Sequence, residues 1–357
     1  MVLNNVTCHT LNVQHRMKPN ICKLIRPHIY PQLTDHESTL SRPPILGVEG
    51  CLYFIDHQQP EELCQDESQK NVHESTFMIA FARYLILNGY KADQITILAT
   101  YLGQMFEMLH EKNKPTNVDL LKDVRISVLD NYQGEESDIV LLSLVRSNTE
   151  NKVGFLRTQN RVCVALSRAR NGLFIIGNMS LLLSSNSENE IWKKVNTVLE
   201  EQNAIGSHLL LKCQIHPVKL TKVSKSSDFD KLSEGGCDMI CNAELGCGHT
   251  CKRLCHIQDR EHTQYRCTEE CLKYAKNHVP KVKSDAAKIQ MRNTFVQDCV
   301  IKTVTNASTN LDVEEVDCQK PCKLKLPCGH ECANSCSKAC GPCKVKVNES
   351  DTIALYP

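Results

Sequence analysis

The chain contains 357 residues, of which 41% are hydrophobic, 23% are charged and 5% are aromatic. This length is enough for two ordinary domains. The 42 Lys and Arg balance 41 Asp and Glu, so no global field favours a nucleic acid, a membrane surface or an acidic substrate. No apolar run approaches the roughly 20 residues that span a bilayer, and the N-terminus does not resemble a signal peptide. We expect no membrane insertion and an intracellular protein.

The first half of the chain alternates strand and helix patterns. Buried strands are predicted by short aliphatic runs at 50–56, 95–101, 124–130, 138–145 and 172–178. Helices are predicted at 71–88, 103–111, 158–168 and 188–202. The first of these helices has Asn71 and Glu74 placed as a capping box and Gly89 just past its end. This alternation predicts an α/β fold with a largely parallel, doubly wound sheet.

Three polar segments accompany these elements. They are Gln14–Met17 (QHRM), Asp130–Glu136 (DNYQGEE) and Arg161–Arg170 (RVCVALSRAR). In the third, Arg161 and Arg168 lie seven residues apart, which places them on one face of a continuous helix. We expect the chemistry of the domain at the carboxyl ends of its strands, where α/β sheets bind ligands. Each segment alone also fits an ordinary turn or a solvated helix face.

The segments QHRM, ATYLGQ, DNYQGEE and VALSRAR, in this order, resemble the second RecA-like domain of superfamily 1 helicases, in particular the up-frameshift-like RNA helicases. The resemblance covers roughly residues 8–180. It implies that Arg16 and Arg168 reach the γ-phosphate of a nucleotide held by a first RecA-like domain. It also implies nucleotide contacts at Gln14, Gln133, Gly134 and Glu136, and contacts with single-stranded RNA at Thr100 and Tyr101. Cys163 departs from the family pattern, in which Asn is commoner.

The other half of a nucleotide site is not found in these residues. No Gly is followed by Lys, so there is no phosphate-binding G-x-x-x-x-G-K-[ST] loop, and no strand ends in an acidic pair for Mg²⁺. ATP and Mg²⁺ are therefore expected as cofactors of the complete protein. We expect the chain to lack ATPase activity alone and to be the C-terminal part of a longer helicase.

The second half is rich in cysteine. Of 21 Cys, five precede residue 212 and sixteen lie from Cys213 onward, and the net charge changes from −3 over the first 211 residues to +4 over the rest. A block of six Cys and His recurs at an offset of 81 residues. The first block is Cys237, Cys241, Cys247, His249, Cys251 and Cys255, and the second is Cys318, Cys322, Cys328, His330, Cys332 and Cys336.

Thiolates and imidazoles in tetrahedral sets favour zinc. A disulfide framework is the alternative, but the repeated Cys-Gly-His has no role in disulfide pairing. Cys267 with Cys271, and Cys340 with Cys343, would complete eight ligands and two zinc ions per block. Cys213 and His216 are candidates for a further site, His256 is a competing ligand, and the assignment of ligands to ions stays open. We predict about four zinc ions, or five with that further site, and expect chelation to unfold both blocks but not the sheet domain.

The blocks resemble NF-X-type zinc fingers. A superfamily 1 helicase core leading into such fingers resembles the NF-X-type zinc-finger-containing helicases, which are associated with RNA silencing and antiviral RNA recognition. Ser337 departs from the finger pattern, in which His commonly follows the Cys. The predicted domains are a RecA-like domain over 1–205, a first zinc block over 206–271, a linker over 272–317 and a second block over 318–357, with further fingers downstream.

The resulting hypothesis is a helicase or translocase that binds RNA and silencing or antiviral protein partners. It would work in the cytoplasm, including ribonucleoprotein granules, or in the nucleus. A catalytically inert zinc-finger scaffold is the alternative, favoured by the low aromatic content, which leaves few platforms for base stacking. A ubiquitin ligase is a third hypothesis, although the Cys and His spacing does not fit a RING domain.

Overall fold

A computed structural model describes residues 11–26, 28–64, 67–184, 190–246, 248–265 and 267, together with the backbone of Ile301–Lys302 and Glu315–Val316. The chain divides into two compact units. The first comprises Met1–Cys241 and Lys252–Glu261, and the second comprises Asn242–Cys251 and His262–Pro357. The domain boundaries predicted from sequence stay predictions.

The helices are α1 (Pro19–Cys22), α2 (Val72–Leu87), α3 (Leu102–Lys112), α4 (Val118–Leu121), α5 (Gln159–Leu166), α6 (Met179–Ser184) and α7 (Glu190–Glu201). The strands of the first half are β1 (Val13–Gln14), β2 (Thr34–Asp35), β3 (Leu52–Asp56), β4 (Glu62–Leu63), β5 (Gln69–Lys70), β6 (Ile95–Ala99), β7 (Arg125–Val128), β8 (Ser137–Ser143) and β9 (Ala169–Gly177). The later strands are β10 (Ile205–Gly206), β11 (Leu209–Lys212), β12 (Leu220–Val223), β13 (Gly235–Ile240), β14 (Leu254–His256), β15 (Ile301–Lys302) and β16 (Glu315–Val316).

The centre of the first unit is a six-stranded sheet in the order β10-β3-β9-β8-β6-β7. Every pair in it is parallel, which confirms the predicted α/β fold with a doubly wound parallel sheet. The five predicted strand runs correspond to β3, β6, β7, β8 and β9. These strands read as continuous apolar runs because helices cover both faces of the sheet.

Two hydrophobic cores lie on opposite faces of this sheet. Along β8, Val140 and Leu142 belong to one core, whereas Ile139 and Leu141 belong to the other. The first core is closed by α1, α5, α6 and α7, whose Trp192 is fully buried. The second core is closed by α2, α3 and α4 together with the antiparallel β11–β12 hairpin. The β11–β12 hairpin is therefore part of the packed sheet domain.

Both predicted ends of α2 are observed, but its start differs in detail. The Asn71 side chain accepts a hydrogen bond from the Glu74 N–H at 3.2 Å. The Glu74 carboxylate does not return to the Asn71 N–H, which instead donates to Gln104 Oε1 at 2.7 Å. The capping box is thus half formed, because the Glu74 side chain is engaged at the end of β8. At the other end, Gly89 follows with φ of 103°.

Within the part of the chain that the structure describes, no helix is long and apolar enough to cross a membrane. The short strands β15 and β16 pair antiparallel within the predicted linker. The remainder of that linker and the whole second zinc block, residues 318–357, lie outside the described residues, as do Cys247 and Cys271.

Candidate nucleotide and metal sites

Arg16 lies in the turn between β1 and α1, and the buried side chain of Gln14 fixes that turn. Gln14 Oε1 accepts hydrogen bonds from the N–H groups of Arg16 and Met17 at 2.9 and 2.7 Å. Its Nε2 donates to Met17 O at 2.8 Å and to Asp35 Oδ1 at 2.7 Å. Gln14 therefore positions Arg16, and its predicted contact with nucleotide stays a prediction.

Arg168 lies just beyond α5, which ends at Leu166 rather than at the predicted residue 168. Arg161 and Arg168 consequently do not share a helix face. Arg161 stands over the Phe155 ring, 3.9 Å from its centroid, and its Nη2 lies 3.6 Å from Asp130 Oδ2. The Arg168 guanidinium instead donates to three neutral oxygen atoms, Val164 O at 2.9 Å, Glu135 O at 3.2 Å and Ser167 Oγ at 2.8 Å.

The structure brings Arg16, Arg168 and Glu136 together from three distant parts of the sequence. Arg16 Nε donates to Glu136 Oε2 at 2.6 Å, and its Nη1 donates to Ser167 O at 3.1 Å. Arg168 is 9% exposed. Burial lowers the pKa of Arg168 from its ordinary value, and the positive charge of Arg16 lowers this pKa further. Two guanidinium groups near enough for one to lower the pKa of the other favour an anion, because each destabilises the charge of the other.

Gln133 and Gly134 lie in the exposed turn that leads to Glu136. Gly134 has φ of 87°, a conformation that favours glycine. Cys163, at the position where the family more often has Asn, lies within α5 and is half-buried. The structure thus places Gln133 and Gly134 next to Glu136 in the chain, and their nucleotide contacts stay predictions.

The arginine pair lies at the amino ends of the strands, not at the carboxyl ends where we expected the chemistry. Glu136 directly precedes β8, and Arg168 directly precedes β9. The two strands begin side by side, because Ser137 pairs with Ala169 and the Ser137 N–H donates to Arg168 O at 3.1 Å. This pairing is what carries Arg168 to Glu136.

Thr100 and Tyr101 follow β6 at the opposite, carboxyl edge of the sheet. Thr100 is 4% exposed, and its hydroxyl donates to Leu144 O at 3.0 Å. The Tyr101 hydroxyl accepts hydrogen bonds from Arg146 Nη1 at 3.3 Å and from the Phe155 N–H at 3.1 Å. Because β8 is 7 residues long, the two edges lie about 20 Å apart. RNA contact by Thr100 and Tyr101 stays a prediction.

The carboxyl edge contains further polar residues that sequence reasoning missed. Glu61 Oε2 accepts hydrogen bonds from Arg146 Nε at 3.0 Å, the Ser147 N–H at 2.6 Å and Asn148 Nδ2 at 3.2 Å. Asn178, after β9, donates to Ser147 Oγ at 3.0 Å. The available signal was that Arg146, Ser147 and Asn148 directly follow an apolar strand.

A compact group of metal-type ligands lies within the first unit. It comprises Cys213, His216, Cys237 and Cys255, whose ligand atoms all lie within 4.8 Å of one another. The three cysteines are 3%, 2% and 2% exposed. Burial raises the pKa of Cys213, but hydrogen bonds from the backbone N–H groups of His216 and Ile215, together with those from the side chains of His216 and Cys255, lower it to about 7.

This grouping differs from the one expected from spacing, in which Cys237 and Cys255 belong to an eight-ligand set within 237–271. The difference arises because the β11–β12 hairpin brings Cys213 and His216 to β13 and β14. Within the second unit, Cys267 Sγ lies 3.3 Å from His249 Nδ1. Three further predicted or competing ligands are described. Cys241 follows β13, and Cys251 is buried in the second unit. His256 Nδ1 lies 2.8 Å from Gln258 O. The other predicted ligands, Cys247, Cys271, Cys318, Cys322, Cys328, His330, Cys332, Cys336, Cys340 and Cys343, lie outside the described residues.

A family model described as AAA domain matches residues 1–180. The chain belongs to the AAA domain family. Its similarity to the mouse NFX1-type zinc finger-containing protein 1 is 41% identity over 95% of the chain and 18% of the mouse protein. Similarity to the human protein of that name is 42% identity over 92% of the chain and 17% of that protein. These relatives confirm the predicted resemblance to helicases bearing NF-X-type zinc fingers.

A third protein to which the chain is similar is the Schizosaccharomyces pombe protein named Helicase required for RNAi-mediated heterochromatin assembly 1. It is 38% identical over 59% of the chain and 21% of its own length. The chain therefore spans about a fifth of the length of these curated relatives. Among AAA domain proteins, this chain combines a RecA-like parallel sheet with a Cys- and His-rich region.

Proposed function

We propose that this chain is the second motor domain and zinc-binding tail of an ATP-dependent RNA helicase or translocase. The observation that carries the proposal is the assembly of Arg16, Arg168 and the Glu136 carboxylate, which Arg16 binds, at the amino edge of the sheet. Guanidinium groups in such an arrangement suit a phosphate, which accepts their planar N–H pairs bidentately.

Each residue of this edge has a separate role in the proposed reaction. ATP, bound with Mg²⁺ on a first RecA-like domain, would be the substrate whose γ-phosphoryl group is transferred to water. Arg168 stabilises the negative charge that develops on that group, and Arg16 does so after exchanging Glu136 for phosphate oxygens. Gln14 keeps the Arg16 backbone in place. Gln133 and Gly134 contact the nucleotide from the adjoining turn.

Hydrolysis then depends on contact between two domains. The 357 residues contain no phosphate-binding loop, so the arginine pair acts only when the domain that holds the nucleotide closes onto this edge. RNA would bind at the carboxyl edge, near Thr100 and Tyr101, about 20 Å away. Closure of the nucleotide-holding domain onto the amino edge and RNA binding at the carboxyl edge would thereby be linked through the same sheet.

The names of the relatives support a role with RNA. One relative is named for RNAi-mediated heterochromatin assembly, and others more distantly similar are named regulators of nonsense transcripts. We assign the chain to RNA silencing, RNA surveillance or antiviral RNA recognition, with protein partners from those processes. Its proposed location is the cytoplasm, including ribonucleoprotein granules, or the nucleus.

The test uses a protein in which this chain is joined to a RecA-like domain that carries a phosphate-binding loop. Arg168→Ala and Arg16→Ala are each expected to lower RNA-stimulated ATP hydrolysis by about 10³-fold or more, the usual contribution of an arginine finger. Arg161→Ala is the matched control, since Arg161 contacts Phe155 and Asp130 instead. Hydrolysis by Arg168→Ala at the rate of the Arg161→Ala control would refute the proposal.

Titration of the chain with single-stranded RNA at two salt concentrations addresses the alternative of an inert scaffold. Phosphate contacts weaken as salt rises, so RNA binding is expected to fall with salt. The scaffold would be favoured by two results together: the chain binds no RNA at low salt, and the protein that joins it to a nucleotide-holding domain hydrolyses no ATP. Formation of ubiquitin chains with a panel of conjugating enzymes would favour the ligase.

A further inference from the structure

The group formed by Cys213, His216, Cys237 and Cys255 has the dimensions of a tetrahedral zinc site. With Zn–S of about 2.3 Å and Zn–N of about 2.0–2.1 Å, a tetrahedron has S···S edges of about 3.8 Å and S···N edges of about 3.6 Å. Cys213 Sγ lies 3.7 Å from Cys255 Sγ. His216 Nδ1 lies 3.7, 3.3 and 3.6 Å from the sulfurs of Cys213, Cys237 and Cys255.

A disulfide or a purely hydrophobic thiol cluster fits this group less well than a metal site. A disulfide needs sulfur atoms about 2.05 Å apart, well below the 3.7 Å between Cys213 and Cys255. A hydrophobic thiol cluster would not place an imidazole nitrogen at similar distances from three sulfurs. The His216 N–H also donates to Cys213 Sγ at 3.3 Å, a contact that stabilises a thiolate.

The ligands are held by the sheet domain. Cys213 directly follows β11, the hairpin strand whose Leu209 and Leu211 are buried in the second core. Gln214, between two of the ligands, donates from Nε2 to Asn88 O at 3.0 Å and to Asn88 Oδ1 at 2.8 Å. Asn88 Nδ2 in turn donates to Gly235 O at 3.0 Å, two residues before Cys237. The buried Asn88 side chain at the end of α2 is therefore hydrogen-bonded next to both parts of the ligand set, the Cys213–His216 loop and the start of β13.

The backbone beside the site is adapted to it. Gly236 precedes Cys237, and a Cβ added there would lie 2.0 Å from Cys255 O and 2.6 Å from Cys255 Sγ. Any side chain at this position would therefore displace β14 and its ligand. The close approach of β13 to β14 requires glycine at residue 236.

The ligand set combines two residues of the repeated block with two residues outside it. Cys237 and Cys255 recur as Cys318 and Cys336 at the offset of 81 residues, but at the same offset Cys213 and His216 correspond to Thr294 and Gln297. Neither Thr nor Gln is a usual zinc ligand. The repeat with an offset of 81 residues therefore does not extend to Cys213 and His216.

From these observations we infer that Cys213, His216, Cys237 and Cys255 bind one structural zinc ion that belongs to the fold of the sheet domain, where it joins the β11–β12 hairpin and the β13–β14 ribbon to the end of α2. The inference is independent of ATPase activity. In contrast to the expectation from sequence, removal of zinc then destabilises the sheet domain as well as the zinc blocks.

The test compares Cys213→Ser with Cys51→Ser in the full chain. Cys51 is a half-buried cysteine outside the ligand group and serves as the matched control. Cys213→Ser is expected to lose one zinc ion per chain relative to the wild type, and Cys51→Ser none. Thermal unfolding followed by Trp192 fluorescence is expected to shift down by more than about 5 °C for Cys213→Ser. Wild-type zinc content in Cys213→Ser would overturn the inference.

A measurement on the wild-type chain covers the case in which Cys213→Ser does not fold. Thiol alkylation followed by mass spectrometry reports each cysteine before and after a chelator removes all zinc. Cys213, Cys237 and Cys255 are expected to become reactive together, each at least about 10-fold faster than in the zinc-loaded chain. Unchanged protection of these three thiols after complete zinc removal would contradict the assignment, as would full reactivity before it.

Discussion

Glu74 is a fully buried carboxylate in the first turn of α2, and its contacts hold the chain where β8 ends. Its Oε2 accepts hydrogen bonds from the Ser143 hydroxyl at 2.6 Å and from the Val145 N–H at 2.8 Å. Its Oε1 lies 2.9 Å from His57 Nε2. Val145 has φ of 71°, a strained conformation for a β-branched residue. Replacing Glu74 with alanine tests how this strained turn is maintained.

The expected loss of stability for Glu74→Ala is about 3 kcal/mol. Leaving the buried Val145 N–H without an acceptor costs about 1–3 kcal/mol. Loss of the His57 contact adds to this cost, whereas removal of the desolvated carboxylate offsets part of it. Among the remaining contacts, Asn71 Nδ2 donates to Val145 O at 3.3 Å and opposes the strain at Val145, which is worth about 1–3 kcal/mol.

Urea unfolding followed by Trp192 fluorescence measures this change, since Trp192 is the single tryptophan and is fully buried in the sheet domain. The midpoint should fall for Glu74→Ala with little change in the slope m. Glu62→Ala is the matched control, because the Glu62 side chain is 57% exposed and its carboxylate lies 3.8 Å from Lys70 Nζ. A Glu74→Ala variant within about 0.5 kcal/mol of this control would refute the reasoning.

Two further predictions concern the support of the metal group. Gly236→Ala should lose one zinc ion per chain by metal analysis, because its Cβ would lie 2.0 Å from Cys255 O. Gly246→Ala, with nothing within 4 Å of the new Cβ, should retain this zinc ion. Equal zinc contents in the two variants would argue against the close approach of residue 236 to Cys255. Asn88→Ala should destabilise the sheet domain by about 2–3 kcal/mol in urea unfolding, since it removes side-chain hydrogen bonds that link Gly235 and Gln214 to α2. An unchanged urea midpoint would contradict this linking role of Asn88.

Five of the six strands of the sheet could be predicted from sequence because each is a short apolar run, which its length and residue types identify locally, whereas the two-residue edge strand β10 was not predicted. The end of α5 could not be predicted in this way. Periodicity extends that helix to Arg168, but pairing of Ala169 with Ser137 draws the following residues into β9. The same pairing, which no local pattern reveals, places the arginine pair at the amino edge.

The metal group shows a similar division. Spacing and repetition predict Cys237 and Cys255 as ligands, because the repeat preserves their positions. Their partners depend on tertiary structure, since the β11–β12 hairpin that brings Cys213 and His216 to them is anchored by hydrophobic burial and by Asn88. The joint role of Arg16 and Arg168 could not be predicted from local patterns either, and it was predicted only from the resemblance of four motifs to helicases.

The central claim is that Arg168 stabilises the transition state of phosphoryl transfer, and nucleotide affinities test it most directly. In the protein that joins this chain to a nucleotide-holding domain, ADP and ADP with aluminium fluoride are titrated in the presence of Mg²⁺ and RNA. Arg168→Ala should weaken the aluminium fluoride complex by about 100-fold or more while changing the Kd for ADP by less than about 3-fold, because the lost interaction exists only with the transferring group. Equal changes in the two affinities, or no change in either, would contradict the account.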